Sequence, residues 1–158
     1  MFLHGRGMFA WIDNAHIKYP VTKEGLKAAE MSLGEGVRVN MTLVFSQTQA
    51  AAVYAATRVA QKGDVFLSPF VGRLDDIGQN GMELIENILR MYRNGDGHVE
   101  MLCASVRSLD HLLYAISLGS DIVTAPFRVL KEWGEKGMPM PPADFEYIRD
   151  DLIEIPFE

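Results

Sequence analysis

The chain reads as an α/β domain built on a parallel sheet, and three observations carry that expectation. Five short runs rich in apolar and β-branched residues alternate with runs of helical periodicity. Each helical run is long enough to return the chain to the same end of a sheet, as parallel neighbours require. Ser or Thr opens several helical runs and Gly closes them. The alternation fits a doubly wound sheet and a (β/α)8 barrel alike, but five units are too few to close a barrel of eight.

Residues 1–12 read as a helix, with Met8, Phe9, Trp11 and Ile12 apolar. Residues 14–19 form a short buried strand, stopped at Pro20, which lacks an N–H for the ladder. Thr22 is of capping type, and Leu26, Ala29 and Leu33 recur at helical spacing before Gly34 and Gly36. Residues 37–45 are a strand expected to be buried on both faces. Ser46 caps an alanine-rich helix over 47–62, closed by Gly63, and 64–70 is the third strand, followed by a loop over 71–78. Residues 82–93 are amphipathic, with Leu84, Ile85, Ile88, Leu89 and Tyr92 on the inner stripe. Residues 98–106 are the fourth strand, and Ser108 caps a helix over 109–118. Residues 121–125 are the fifth strand, running into Pro126 and a last helix through Trp133. From Gly137 onward, proline and acidic residues predict an extended arm or a short docking helix outside the core.

With 158 residues, 48% apolar and 23% charged, the composition is that of one globular domain with a real core. A net charge of −6 argues against nucleic acid as the main partner, though it leaves room for a local basic pocket for phosphate. No apolar run reaches membrane-spanning length, and the first residues lack the apolar core of a signal peptide. Cys103 has no second cysteine to pair with, so a cytoplasmic setting is expected.

Lys18 is the candidate covalent catalyst. It lies near the C-terminal end of a strand, where parallel α/β folds gather their active groups. Inside an apolar barrel an ammonium is poorly solvated, which favours the free amine that attacks a carbonyl to form a Schiff base. The alternative for this strand taken alone is a lysine on a surface edge. His16, His98 and His111 show no ligand spacing, so no metal site is expected. Asp75 and Asp76 are expected to cap a helix or brace Arg73, and Cys103, between Leu102 and Ala104, to be inert packing.

Four stretches in order, each at a strand end, resemble the transaldolase family between about Gly5 and Trp133. Lys18-Tyr19-Pro20-Val21-Thr22 with Glu24-Gly25-Leu26 is similar to the family's Schiff-base lysine motif, and Asn40-Met41-Thr42-Leu43-Val44-Phe45-Ser46 to its fifth strand. Ser68-Pro69-Phe70-Val71-Gly72-Arg73 with Asp75-Asp76 is the most specific match, and Ala104-Ser105-Val106-Arg107 resembles the seventh strand. The resemblance implies a partial (β/α)8 TIM barrel of the class I aldolase type, a single incomplete domain over 1–158. The first strand here would be the family's fourth, residues 1–12 the remains of the preceding helix, and residues 137–158 a tail. The family's first three strands, with an aspartate and a glutamate that activate water and move protons, would lie outside these residues.

The resemblance further implies transfer of a dihydroxyacetone unit between sugar phosphates through a Schiff base on Lys18, in the pentose phosphate pathway and without a cofactor. Sedoheptulose 7-phosphate and fructose 6-phosphate would be donors, and glyceraldehyde 3-phosphate and erythrose 4-phosphate acceptors. Asn40 and Thr42, two apart on one strand and therefore on one face, would bind the substrate or the catalytic water. Ser68 would line the same pocket with Phe70, a position where the related fructose-6-phosphate aldolases carry tyrosine. Arg73, Ser105 and Arg107 would grip phosphate through guanidinium groups and a short hydroxyl donor. Two alternatives stand beside this one: a catalytically inactive half-barrel that binds a partner, and a fructose-6-phosphate aldolase-like lyase, which Phe70 disfavours. An open parallel sheet has unpaired edges, so a homo-oligomer or a complementing N-terminal barrel fragment is expected as partner.

Overall fold

The computed structural model describes all of residues 1–158. Its five strands are β1 (Ile17–Pro20), β2 (Val39–Val44), β3 (Val65–Pro69), β4 (Val99–Cys103) and β5 (Ile122–Val123). They pair in parallel and in sequence order, β1-β2-β3-β4-β5. Right-handed crossovers that always step in one direction put every connecting helix on the same face of a sheet, whereas a doubly wound sheet reverses its order. The consecutive order therefore makes this a segment of a barrel wall.

The helices are α1 (Phe2–Phe9), α2 (Lys23–Gly34), α3 (Gln47–Ala56), α4 (Val71–Asp75), α5 (Gly81–Tyr92), α6 (Leu109–Ser117) and α7 (Phe127–Glu135). Local chemistry starts the longer ones. Thr22, Ser46 and Ser108 accept the backbone N–H groups of Gly25, Gln49 and His111, so all three expected caps form. None of the helices is long and apolar enough to cross a membrane.

Side chains alternate across the sheet. Val39, Met41, Val65, Leu67, Met101 and Cys103 point into the helix layer and are fully or almost fully buried, meeting Leu84, Ile85 and Ile88 of α5 in one core. Each such buried side chain contributes about 1.5–3 kcal/mol of transfer free energy. The other face carries the polar candidates. Lys18 is exposed and Asn40 half-buried, so β1 and β2 are not buried on both faces as their apolar content suggests. The reason is architectural: in a closed barrel this face is interior, and here the sheet stays open.

Two further expectations change, and the C-terminal stretch takes the extended one of its two expected forms. Helix α3 stops at Ala56, where Thr57 turns its hydroxyl onto the carbonyl of Val53 and residues up to Asp64 run in turns. The stretch after β3 is not a loop but the short helix α4. Residues 137–158 form an extended arm on the chain's own surface, where Ile153 exchanges backbone hydrogen bonds with Gly78 and Asn80.

Candidate functional site

The sheet register assembles the lysine half of the site. Lys18 pairs with Asn40, Pro20 with Thr42, and Thr42 with Ser68, which sets their side chains in neighbouring rows on the open face. Ser68 Oγ donates to Asn40 Oδ1 at 2.7 Å. That bond turns the carboxamide oxygen away and leaves the two Nδ2 hydrogens free to donate elsewhere. Thr42 Oγ1 is buried without a hydrogen-bond partner, a costly condition for a hydroxyl.

Two backbone features hold these strand ends in place. Gly25 lies against the carbonyl of Pro20, where any Cβ would collide, so the lysine motif needs glycine to let α2 start directly behind β1. At the end of β2 the register shifts between Thr42 and Val44, and Leu43 takes φ +59° with its side chain in solvent. Such a bulge bends a strand and re-aims its neighbours.

The arginine half is made by α4, the end of β4 and the start of α7. Phe70, Arg73, Ser105, Arg107, Thr124 and Arg128 line an open pocket of about 430 Å³. Ser105 holds φ +62°, a left-handed conformation that costs a non-glycine residue about 1–2 kcal/mol. Backbone bonds from Val71 to Ala104 and from Gly72 to Ser105, both 3.1 Å, keep it there. Gly72 has no room for a side chain, since a Cβ would run into the Ser105 carbonyl and the Arg107 side chain. The glycine of this motif thus lets α4 lie flat against the strand that carries Arg107.

Behind the pocket sits a buried polar cluster. Arg107 N–H donates to His111 Nδ1 at 3.1 Å, and His111 Nε2 and Tyr147 Oη lie 2.8 and 2.7 Å from Asp75 Oδ2. Asp75 Oδ1 accepts the N–H of Gly81 at the start of α5. Burial pushes the Asp75 carboxyl upward, but the donors His111, Gly81 and Tyr147 together outweigh it and hold the group below its ordinary value. Burial, then the neighbouring Asp75 carboxylate, pushes the Tyr147 phenol well up. Asp76 pairs with Arg107 Nη2 at 2.8 Å, so it braces Arg107 and not Arg73 as expected from sequence, while Asp75 does cap a helix start. Cys103 is fully buried and its thiol is pushed up to about 12 by burial, in keeping with inert packing.

The two halves meet at Phe70. Its ring lies 5.9 Å from Lys18 Nζ, within cation–π range, and it also lines the arginine pocket. The structure therefore brings Lys18, Asn40, Thr42, Ser68, Phe70, Arg73, Ser105 and Arg107 to one end of one sheet. It does not enclose Lys18, whose side chain is exposed where the sequence predicts an apolar interior. Sequence reasoning misses Thr124 and Arg128. The available signal is position alone, just past the C-terminal end of the fifth strand.

The chain matches the family model described as "Transaldolase/Fructose-6-phosphate aldolase" over residues 1–154. A protein of Brucella ovis named "Probable transaldolase" is 50% identical over 119 residues, 75% of this chain and 52% of the relative. Proteins with the same name from Caldicellulosiruptor saccharolyticus and Herpetosiphon aurantiacus are 47% identical over 120 residues (75% of this chain, 52% of the relative) and 42% identical over 128 residues (81% and 55%). The chain spans about half the length of these relatives. Strand order, the glycine-tight turn after β3 and the match along nearly the whole sequence agree: the chain belongs to the transaldolase/fructose-6-phosphate aldolase family.

Proposed function

We propose that this chain carries the Schiff-base and phosphate-binding parts of a transaldolase, an enzyme that passes a dihydroxyacetone unit from a ketose phosphate to an aldose phosphate. The single observation that supports it most is Phe70, whose ring adjoins both Lys18 and the pocket that holds Arg73, Ser105 and Arg107. A sugar gripped at its phosphate by that pocket would lay its carbonyl carbon toward the lysine.

The amine of Lys18 attacks the ketone carbon, the carbinolamine loses water, and an iminium forms. The C4 hydroxyl gives up its proton to water as the C3–C4 bond breaks, the electron pair moves into the iminium as an enamine, and an aldehyde leaves. The enamine carbon attacks the acceptor aldehyde to remake a carbon–carbon bond, the new alkoxide takes a proton back from water, and hydrolysis frees the lysine. Asn40 Nδ2 and Thr42 Oγ1 are the donors for hydroxyl groups that change charge along this path. We assign the donors and acceptors named by the resemblance, sedoheptulose 7-phosphate and fructose 6-phosphate with glyceraldehyde 3-phosphate and erythrose 4-phosphate. The pathway is then the pentose phosphate pathway, and the single buried Cys103 suits its reducing, cytoplasmic setting.

A second reading has its own observation. Lys18 stands exposed on an open sheet face, and phenylalanines 45, 66 and 70 on or beside that face are also incompletely covered. On this reading the site is finished by elements outside these 158 residues, a second copy or a stretch that supplies the family's remaining strands, and these residues alone are inactive.

Borohydride trapping with fructose 6-phosphate separates the two. Mass spectrometry of the Lys18 peptide should find a reduced three- or six-carbon adduct that Lys18→Ala lacks. Folded protein that yields no adduct would leave only the second reading.

A further inference from the structure

The cluster behind the arginine pocket ties the phosphate grip to the arm formed by residues 137–158. Arg107 N–H points at His111 Nδ1, so that nitrogen must keep its lone pair. A neutral His111 then carries its proton on Nε2, which faces Asp75 Oδ2 at 2.8 Å and Tyr147 Oη at 2.7 Å. Tyr147 Oη in turn donates to Asp75 Oδ2 at 2.7 Å. His111 is 1% exposed and the Asp75 side chain 11%, so water does not substitute freely for these bonds.

Both ends of this chain of bonds matter to the pocket. Asp75 is the last residue of α4, two positions after Arg73, and His111 holds the backbone of Arg107 itself. Tyr147 is delivered from outside the barrel wall. Its ring packs on His111 at 4.9 Å, and the arm is fastened again farther on, where Asn87 Nδ2 donates to the Ile155 carbonyl and Gln47 Nε2 to that of Pro156.

We propose that Tyr147 is a positioning residue for the phosphate grip: the arm closes the chain Tyr147–Asp75–His111–Arg107, which fixes the backbone of Arg107 and, through α4, that of Arg73. Tyr147 touches no substrate. It acts by holding Asp75 as the acceptor that keeps His111 in the tautomer Arg107 needs. The proposal rests on the phosphate-pocket reading above and adds that the pocket's affinity is set partly by a segment outside it.

The test is a titration of inorganic phosphate into the 158-residue chain followed by NMR, with the Arg107 amide and the His111 ring nitrogens as reporters. Tyr147→Phe keeps the ring that packs on His111 and removes only the hydroxyl. It should weaken phosphate binding by roughly 3- to 10-fold, the worth of one buried hydrogen bond passed to the site, and speed exchange of the Arg107 amide. The wild-type His111 should show a proton on Nε2 and none on Nδ1. Unchanged phosphate affinity and unchanged Arg107 exchange in Tyr147→Phe, or a protonated Nδ1 in the wild type, would overturn the proposal while leaving the pocket intact. A wild-type chain that binds no phosphate at all would overturn the pocket reading and this inference with it.

Discussion

The lysine end and the arginine end of the site rest on the same kind of parallel strand, yet this chain finishes them to different degrees. Arg107 itself is held by partners at both its backbone and its guanidinium. Backbone bonds from α4 hold Ser105 in a strained conformation, Asp76 braces the guanidinium of Arg107, and Asp75, His111 and Tyr147 support its backbone from behind. Around Lys18 the lining is sparse: one bond joins Ser68 to Asn40, Thr42 has an unpartnered hydroxyl, and the lysine itself is in solvent. The contrast follows from what each half needs. A phosphate grip can be built at one end of the sheet by helices and strand ends that adjoin in sequence. A desolvated lysine needs walls on the far side of the barrel, and no element of this chain stands there.

Three substitutions sharpen that contrast. The largest effect is expected from Arg107→Ala. It removes a guanidinium whose charge-assisted bonds contribute about 1.5–3 kcal/mol, so affinity for a sugar phosphate should fall by about one to two orders of magnitude in a binding titration. If the loss is no larger than that from Arg128→Ala at the exposed rim, the arginine half is less organised than its hydrogen bonds indicate.

Asp75→Asn comes next and reads the support behind the pocket. The folded Asp75 carboxyl lies below its ordinary value, so it binds its proton less tightly folded than unfolded. Its contribution to stability is then complete above the unfolded value of about 3.9 and is lost as pH falls through the lower folded value. The variant should lose about 1–3 kcal/mol at neutral pH by denaturant titration. The gap to wild type should close in acid. A gap that persists there would locate the stabilisation in packing and not in the carboxylate.

The smallest effect is expected from Thr42→Val in the lysine half. Replacing an unpartnered buried hydroxyl by a methyl group of the same shape should leave stability unchanged or raise it by up to about 1 kcal/mol, measured as a shift in the unfolding midpoint, while lowering the yield of a trapped adduct. Clear destabilisation would mean that Oγ1 already has a partner.

Much of this site is legible in the sequence because strand ends are legible. Apolar runs with Thr or Ser at the next helix start place Lys18, Asn40 and Ser105 at one end of a sheet, and the two-residue period puts Asn40 and Thr42 on one face. The short helix α4 is hidden because it is only five residues long and carries Gly72, a poor helix former that close packing demands. The exposure of Lys18 is hidden because an apolar strand reads the same whether or not its far wall is present. Tyr147 lies 72 residues beyond Asp75 on an arm with no periodicity, so nothing local links the two. Arg128 is missed for the opposite reason: an arginine in the first turn of a helix looks like any surface charge until the fold sets it beside Arg73.

The most direct test of the two halves acting as one site is the ratio of borohydride-trapped adduct on Lys18 from fructose 6-phosphate and from fructose at equal concentration. A ratio well above one in the wild type, collapsing toward one in Arg107→Ala, is the expected result, because the arginine pocket would then be what brings the carbonyl to the amine. Equal labelling by the two sugars, or a ratio that survives loss of Arg107, would contradict the joining of lysine and phosphate grip across Phe70.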